Sequence, residues 1–449
     1  VDITVDHETW GATMIEKARD LHDLATELAG AAAACSQEEA FARLEGLEEI
    51  KAACAAAQAR ETAQIDQLRL DDEVARGVPE RRRGRGLSSE IGLARKASPT
   101  RGAQYLGFAR ALVHEMPHTR AALETGVLTE WRATILVRET AYLTRETRTE
   151  IDRLVCADPT SLVGVSDKQL EATVKKRAYE LDPEAVVGRI GKAQKDRRVS
   201  VRPAPDVMAK LSALLPLAQG ISVYAALKTY ADSVVGGDDR TRSQIMADTL
   251  VERVTGQSKA AAVPIAVNVV MSERTLLGDS NEAAEVEGYG PVPAHVARRL
   301  ITDGFAADSE VATSIRRLYM RPTDGSLVSM DAKSRCFPKA LAHFIKMRDR
   351  ICRVDYCGAA IEEIDHALPH RLGGATDAEN GNGLCRAHNH AKEADGWTFT
   401  VHQSDGGHVI DIVTPFGRGH ASTAATAVGF RFVHDSLVDA RLRAALNAA

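Results

Sequence analysis

Apolar residues recur three and four positions apart through the first half of the chain, the spacing that gathers them on one face of an α-helix. Leu21, Leu24, Ala25 and Leu28 set the pattern in a stretch from Thr9 to Leu70 that is rich in Ala, Glu, Leu and Arg. It predicts one or two long amphipathic helices, broken near Ser36. Ser88 or Ser89 can cap a further helix, and Ser98 with Pro99 can end it and start another near Thr100. Helical periodicity continues over Thr119 to Glu124, Thr129 to Thr144, Arg145 to Ala157 and Ser166 to Tyr179. Ser166 and Gln169 make a capping box for the last of these. Asp182 and Pro183 close it, and Pro183 to Lys195 reads as one more helix.

Beyond residue 195 the period changes. Arg197 to Arg202 (RRVSVR) and Val263 to Val270 (VPIAVNVV) alternate as strands do, and they are expected to pair with each other. Between them Pro205 to Leu214, Ile221 to Val235 and Thr241 to Thr255 read as helices. A proline precedes a helix within Tyr289 to Ala306. Val311 to Met320 and Gly325 to Ser329 suggest a strand pair, and Ser334 to Arg350 a basic helix. Near the end Trp397 to His402 and His408 to Val413 alternate around Asp405, Gly406 and Gly407, a hairpin signal. Arg431 to Ala449 is again helical.

Composition narrows the fold class. At 449 residues the chain is long enough for two or three domains, and it is 44% hydrophobic but only 4% aromatic. A core of Ala, Leu and Val favours helices, so the expectation is a mainly α protein with small α+β parts. The net charge of −5 does not advertise nucleic acid. Locally the picture differs. Lys333 to Arg353 holds seven Lys or Arg against one acidic residue, and Val74 to Gly86 (VARGVPERRRGRG) holds five arginines among Pro and Gly. The first is a candidate phosphate track and the second an exposed loop able to touch nucleic acid; ordinary solvated surface accounts for either as well. Two short helices around Ser98 resemble a helix-turn-helix that would offer Thr100, Arg101 and Gln104 to a groove, although plain helix packing gives the same pattern. No apolar run reaches eighteen residues and the N-terminal VDITVDHETW lacks a signal-peptide pattern. With Cys35, Cys54, Cys156 and Cys336 scattered, a reducing cytoplasm and no membrane are expected.

The chemistry concentrates in residues 352–392. Cys352, Cys357, Cys385 and His388 follow a C-x4-C, C-x2-H pattern, two close pairs of soft or borderline ligands suited to a closed tetrahedral zinc site. The alternative is two unrelated cysteine clusters or a disulfide. Ligands so placed would clamp the intervening chain into a hairpin, with Ile361 to Ala367 as its first strand, Gly373 and Gly374 at the turn, and a helix starting near Cys385. His366 has an imidazole able to take a proton from water near neutral pH. Asp365 and Asn389 are oxygen donors of the kind that suit Mg²⁺ or Mn²⁺.

On these residues the stretch resembles an HNH endonuclease domain, the ββα-metal or His-Me finger nuclease fold with a structural zinc. The resemblance puts His366 at the first His of the motif, Asn380 at the central Asn and Asn389 at the last His, an H-N-N variant. It implies DNA phosphodiester hydrolysis with His366 as general base, Asn380 and Asn389 as further catalytic positions, and a catalytic Mg²⁺ or Mn²⁺ on Asp365 and Asn389 besides the structural zinc. Lys346, Arg348, Arg350, Arg353 and His370 are the residues expected to meet DNA, with His370 equally able to serve the hairpin. The arrangement as a whole, from roughly Leu21 to Trp397, resembles the 13E12 repeat family, in which a helical domain of unknown function 222 precedes a C-terminal HNH domain. The phrases carrying this are Phe108 to Leu112, Tyr289 to Leu300 and Arg335 to Cys357.

The expected division is a helical region over 1–195, an α+β continuation of the same family domain over 196–332, the zinc-containing nuclease domain over 333–400, and a hairpin and helix over 401–449. DNA is the expected partner, with self-association through the helical region left open. The other reading is a zinc-stabilised DNA-binding or scaffold protein whose nuclease site has degenerated.

Overall fold

The computed structural model describes residues 21–234, 239–256, 269–272, 275–276, 280–286, 289–306, 336–404 and 407–425, with side chains omitted over 301–306. Residues 21–30 are helical, and after a break the long helix α1 spans Gln37–Ala75. Ser36 starts it by accepting a hydrogen bond from the Glu39 N–H, so the expected break is a cap. Ala52, Ala55, Ala56, Ala59 and Ala63 form a buried stripe on its second half. Small side chains let the neighbouring helices lie close, and Phe108, Leu112, Leu123 and Ala133 pack on that stripe.

Those partners come from a run of short helices: α2 (Leu87–Ala94), α3 (Pro99–His114), α4 (Pro117–Glu124), α5 (Glu130–Thr140), α6 (Arg145–Cys156), α7 (Asp167–Leu181) and α8 (Pro183–Lys195). Ser98, Thr129, Thr144 and Ser166 cap α3, α5, α6 and α7, the last with the expected capping box. The cap of α2 is different. Gly86, at φ +81°, takes the position expected for Ser88 or Ser89. A second core, including Met116, Leu128, Leu136, Ile151, Leu170 and Val174, joins α4 to α7. Helices α2 and α3 cross so tightly that a Cβ on Gly102 would sit 1.9 Å from the Ser88 carbonyl oxygen. This pair is packed interior, with Arg101 and Gln104 on its exposed side bonded to each other.

The next region corrects two expectations. Strand β1 (Arg198–Ala204) pairs antiparallel with β2 (Met208–Leu214), a segment expected to be helical, through a turn in which Asp206 and Val207 both have φ +60°. Strand β3 is described only at Val269–Val270; it pairs with β4 (Ala284–Val286) and not with β1, and β4 pairs with β5 (Gly290–Val292). Helices α9 (Leu217–Val234), α10 (Arg242–Thr255) and α11 (Ala294–Ala306) complete this part. The expected strand pair at Val311 to Met320 and Gly325 to Ser329, and the terminal helix at Arg431 to Ala449, lie outside the described residues.

Helix α12 (Lys339–Asp349) leads into an antiparallel pair, β6 (Glu363–His366) and β7 (Gly381–Leu384), then α13 (Arg386–Lys392). The predicted hairpin follows as β8 (Thr398–Ser404) and β9 (Gly407–Val413), with a third strand β10 (Gly419–Thr423) on the outer edge of β9. Its inner face is not separate from what precedes it. Phe399, Ile410 and Ile412 share one buried cluster with Cys352, Cys357, Cys385, Trp397 and, from the helical region, Leu93.

Candidate metal centre and the strand beside it

Four ligand atoms converge at the head of α13. Positive φ at Tyr356 (58°) and Gly358 (60°) turns the chain back after Cys352, and Cys357 N–H closes on the Val354 carbonyl at 3.2 Å. Cys385 ends β7 at the N-cap of α13, which places His388 on its first turn. All four residues are buried and their ligand atoms lie within 4.8 Å of one another. Cys357 Sγ is 3.7 Å from Cys385 Sγ, and His388 Nδ1 is 3.3 Å from Cys352 Sγ and 3.6 Å from Cys385 Sγ. A tetrahedral zinc with bonds of about 2.3 Å to sulfur and 2.0 Å to nitrogen requires ligand separations of roughly 3.5 to 3.8 Å. Three sulfurs this close cannot all ionise by themselves. Hydrogen bonds from Cys352 and Cys357 hold the Cys385 thiol far below its ordinary value, while Cys352 is driven far above its own. Cys357, drawn down by Cys352 but raised by Cys385 and burial, sits at about 11. A divalent cation allows all three to be thiolates, so the set can hold a metal such as zinc.

The strand between these ligands carries the remaining chemistry. Glu363 and Asp365, two apart on β6, share a face, and Asn389 and Lys392, three apart on α13, share the face that meets it. They make two rungs. Asn389 Nδ2 donates to Glu363 Oε2, and Lys392 Nζ donates to Asp365 Oδ2. The Lys392 side chain is only 3% exposed, and the Asn389 amide oxygen is buried with no partner among the described residues. His366, the last residue of β6, is buried. Its Nδ1 lies 3.8 Å from Asp365 Oδ1, its Nε2 2.8 Å from Thr376 Oγ1, and its ring 4.5 Å from Phe337 and 5.6 Å from the exposed His370. Burial pulls its pKa down, with Asp365 opposing and His370 and Lys392 assisting, so the ring is neutral at pH 7.

Asn380 fixes the loop that brings Thr376 to His366. Its amide oxygen accepts from Leu368 N–H at 2.8 Å, and its Nδ2 donates to the Leu368 and Ala375 carbonyls at 3.0 and 2.8 Å. Gly374 must be glycine beneath it: a Cβ would meet the Leu368 oxygen at 1.8 Å. The Asn380 amide is thus spent on backbone groups, and it acts on the His366 ring through the loop.

The basic ramp divides. Arg348 and Arg353 are buried on either side of Asp349, donating to it at 2.7 and 2.8 Å. Burial alone would raise the Asp349 carboxyl, but the two guanidiniums and the Gly383 N–H hold it below its usual range. Arg348 also reaches the Gly381 carbonyl at 2.6 Å, and Arg353 reaches His408 and Ser422. Both are interior groups, so the expectation that they meet DNA is replaced by a structural tie between α12, β7 and the C-terminal sheet. Arg350 faces Glu285 at 3.5 Å, and Lys346 and His370 keep access to solvent.

The domain of unknown function DUF222 matches residues 44–349, about two thirds of the chain. The chain belongs to the DUF222 family. The DUF222 match ends at the last residue of α12, just before Cys352, and covers neither the Cys/His cluster nor the β6 strand. No curated protein and no solved structure matches the chain. Among the described residues no helix is long and apolar enough to cross a membrane.

Sequence reasoning missed Glu363, Thr376 and Lys392. The strand period relative to Asp365 and the helix period relative to Asn389 were signals enough for the first and last. Thr376 had none, because the loop decides where it lies.

Proposed function

We propose that this chain is a metal-dependent endonuclease of the HNH type that hydrolyses DNA phosphodiester bonds. One observation carries the reading: a neutral, buried imidazole, His366, stands beside a carboxylate, Asp365, on a strand faced by an amide oxygen, Asn389 Oδ1, that is buried without a partner among the described residues. Phosphodiester hydrolysis calls for a base in its unprotonated form and for oxygen ligands to a hard cation near it. Asp365 and Asn389 supply the oxygens, with Glu363 adjoining. Bound Mg²⁺ or Mn²⁺ there would neutralise charge on the phosphate and lower the pKa of water. With Nε2 donating to Thr376 Oγ1, His366 Nδ1, 3.8 Å from Asp365 Oδ1, would carry the lone pair that takes the proton. Asn380 acts as a positioning residue for that ring, and the Cys/His cluster pins the first turn of α13 so that Asn389 faces β6.

A second reading, a zinc-stabilised DNA-binding or scaffold protein with a degenerate site, is favoured by a different observation. Lys392 Nζ already pairs with Asp365, a built-in cation where a metal would bind. A plasmid-nicking assay with Mg²⁺, Mn²⁺ and EDTA separates the two. Wild type should relax supercoiled DNA with metal and not with EDTA, and His366→Ala should lose nicking while retaining DNA binding. Intact plasmid under every divalent metal would leave the second reading.

A further inference from the structure

We infer that Arg81, Arg82 and Arg85, in the loop joining α1 to α2, form a second contact for the phosphate backbone of duplex DNA. They would give the DUF222 region a part in substrate binding. The inference deepens the proposed function and rests on duplex DNA being the partner.

The loop is built, not loose. Residues 80–82 form a 3₁₀ turn, with Arg82 N–H on the Pro79 carbonyl at 2.8 Å. Arg83 folds back to donate to the Val78 carbonyl at 2.9 Å, and the Gly84 N–H donates to Glu73 at 2.7 Å. Gly86 then lies against the C-terminal domain, where a Cβ would come within 2.7 Å of Trp397 Nε1.

Three of the nearby acids are engaged, while Glu80 in the turn and Asp395 in the adjoining cleft form no ion pair among the described residues. Buried Arg69 holds Glu90 at 2.7 Å and Glu73 at 3.7 Å, and Arg76 pairs with Asp72. Of the five arginines, Arg81, Arg82 and Arg85 are the ones left exposed with no ion pair among the described residues. Three like charges within five residues outnumber the unpaired Glu80 and Asp395 beside them, and a rigid loop cannot spread them. A polyanion balances that excess and matches the rigid spacing.

Position supplies the link to the proposed site. Arg82 and Arg85 line one shallow cleft with Glu393, Ala394 and Asp395, the residues directly after α13. Glu393 lies four residues beyond Asn389, about 6 Å along a helix, and it meets Arg371, the neighbour of His370, at 3.9 Å. Each strand of a duplex presents a phosphate every 3.4 Å or so of axis. A duplex lying over His370 and Arg371 would therefore run towards the cleft that Arg82 and Arg85 line.

The test is anisotropy of a labelled duplex of about 30 base pairs, long enough to span both contacts, titrated with the full chain in EDTA over a range of KCl. R81Q/R82Q/R85Q should bind at least tenfold more weakly at low salt. The slope of log K against log salt should fall by about two to three, near 0.9 for each phosphate no longer neutralised. R153Q/R177Q, removing exposed but ion-paired arginines elsewhere, should match wild type. Single variants R81Q, R82Q and R85Q should each lower the slope by about one unit, and they decide the matter if the triple variant misfolds. Wild-type slope and affinity in folded variants would overturn the inference, as would wild type that does not bind duplex. Arginine-dependent binding by a chain that never nicks plasmid would remove the nuclease reading and leave this inference standing.

Discussion

Lys392 is the residue whose replacement says most about the candidate site. It buries an ammonium against a partly exposed carboxylate and so competes with any cation for Asp365. Lys392→Met should tighten Mn²⁺ binding about tenfold in a titration followed by electron paramagnetic resonance, since one competing unit charge at this range is worth on the order of 1 kcal/mol. Unchanged affinity would mean that Asp365 is no metal ligand. His366 sets the pH dependence. Its pKa is lowered by burial, so the base is lost below its ordinary 6.5, and a nicking rate plotted against pH should have its acid limb below that value. Thr376→Val removes the bond to Nε2 and should slow nicking without weakening DNA binding. His366 was legible in the sequence from its residue type and its place in the motif, whereas Thr376 and the Lys392–Asp365 pair were not, because contacts ten and twenty-seven residues apart place them.

At the scale of elements, the tie between α12, β7 and the C-terminal sheet runs through groups that burial makes sensitive. Asp349→Ala would leave Arg348 and Arg353 buried without their shared carboxylate, and denaturant unfolding should show a loss of about 3 to 5 kcal/mol. His408 reports on the same tie. Burial, with Arg348 and Arg353 nearby, depresses its pKa to about 4 while its Nε2 meets the Glu379 carbonyl at 2.6 Å. The folded state thus keeps His408 neutral, whereas the unfolded chain binds a proton near pH 6.5. Its contribution is complete above 6.5, falls as pH drops towards 4 and is level below, a loss of up to about 3 kcal/mol. His408→Gln should flatten that part of the stability curve. The caps act over three residues: the capping box at Ser166 was read from the sequence, whereas Ser36 and Ser98 were read as breaks and Thr129 and Thr144 as limits of helical segments. Strand β2 was not read as one, because MAKLSAL carries a helical spacing and becomes a strand only by pairing with β1.

Across the whole molecule the helical region and the candidate metal centre share a wall. Leu93 of α2 packs in the cluster that holds Cys352, Cys357 and Cys385, and Gly86 lies on Trp397. Stripping metal with a chelator should therefore loosen the C-terminal domain while the core of α4 to α7 keeps its helical circular dichroism. Gly86→Ala combines a left-handed φ with a clash and should lower the first transition by about 1 to 3 kcal/mol. The sequence by itself determined what short-range physics decides: helices from period and caps, the Cys/His ligand set from its spacing, and the order of elements across most of the described chain. Only the tertiary structure decided which partner each strand takes, that Arg348 and Arg353 face inward, and that Lys392 lies on Asp365. Those outcomes depend on groups distant along the chain competing for the same space and the same charge, and no local pattern records who wins.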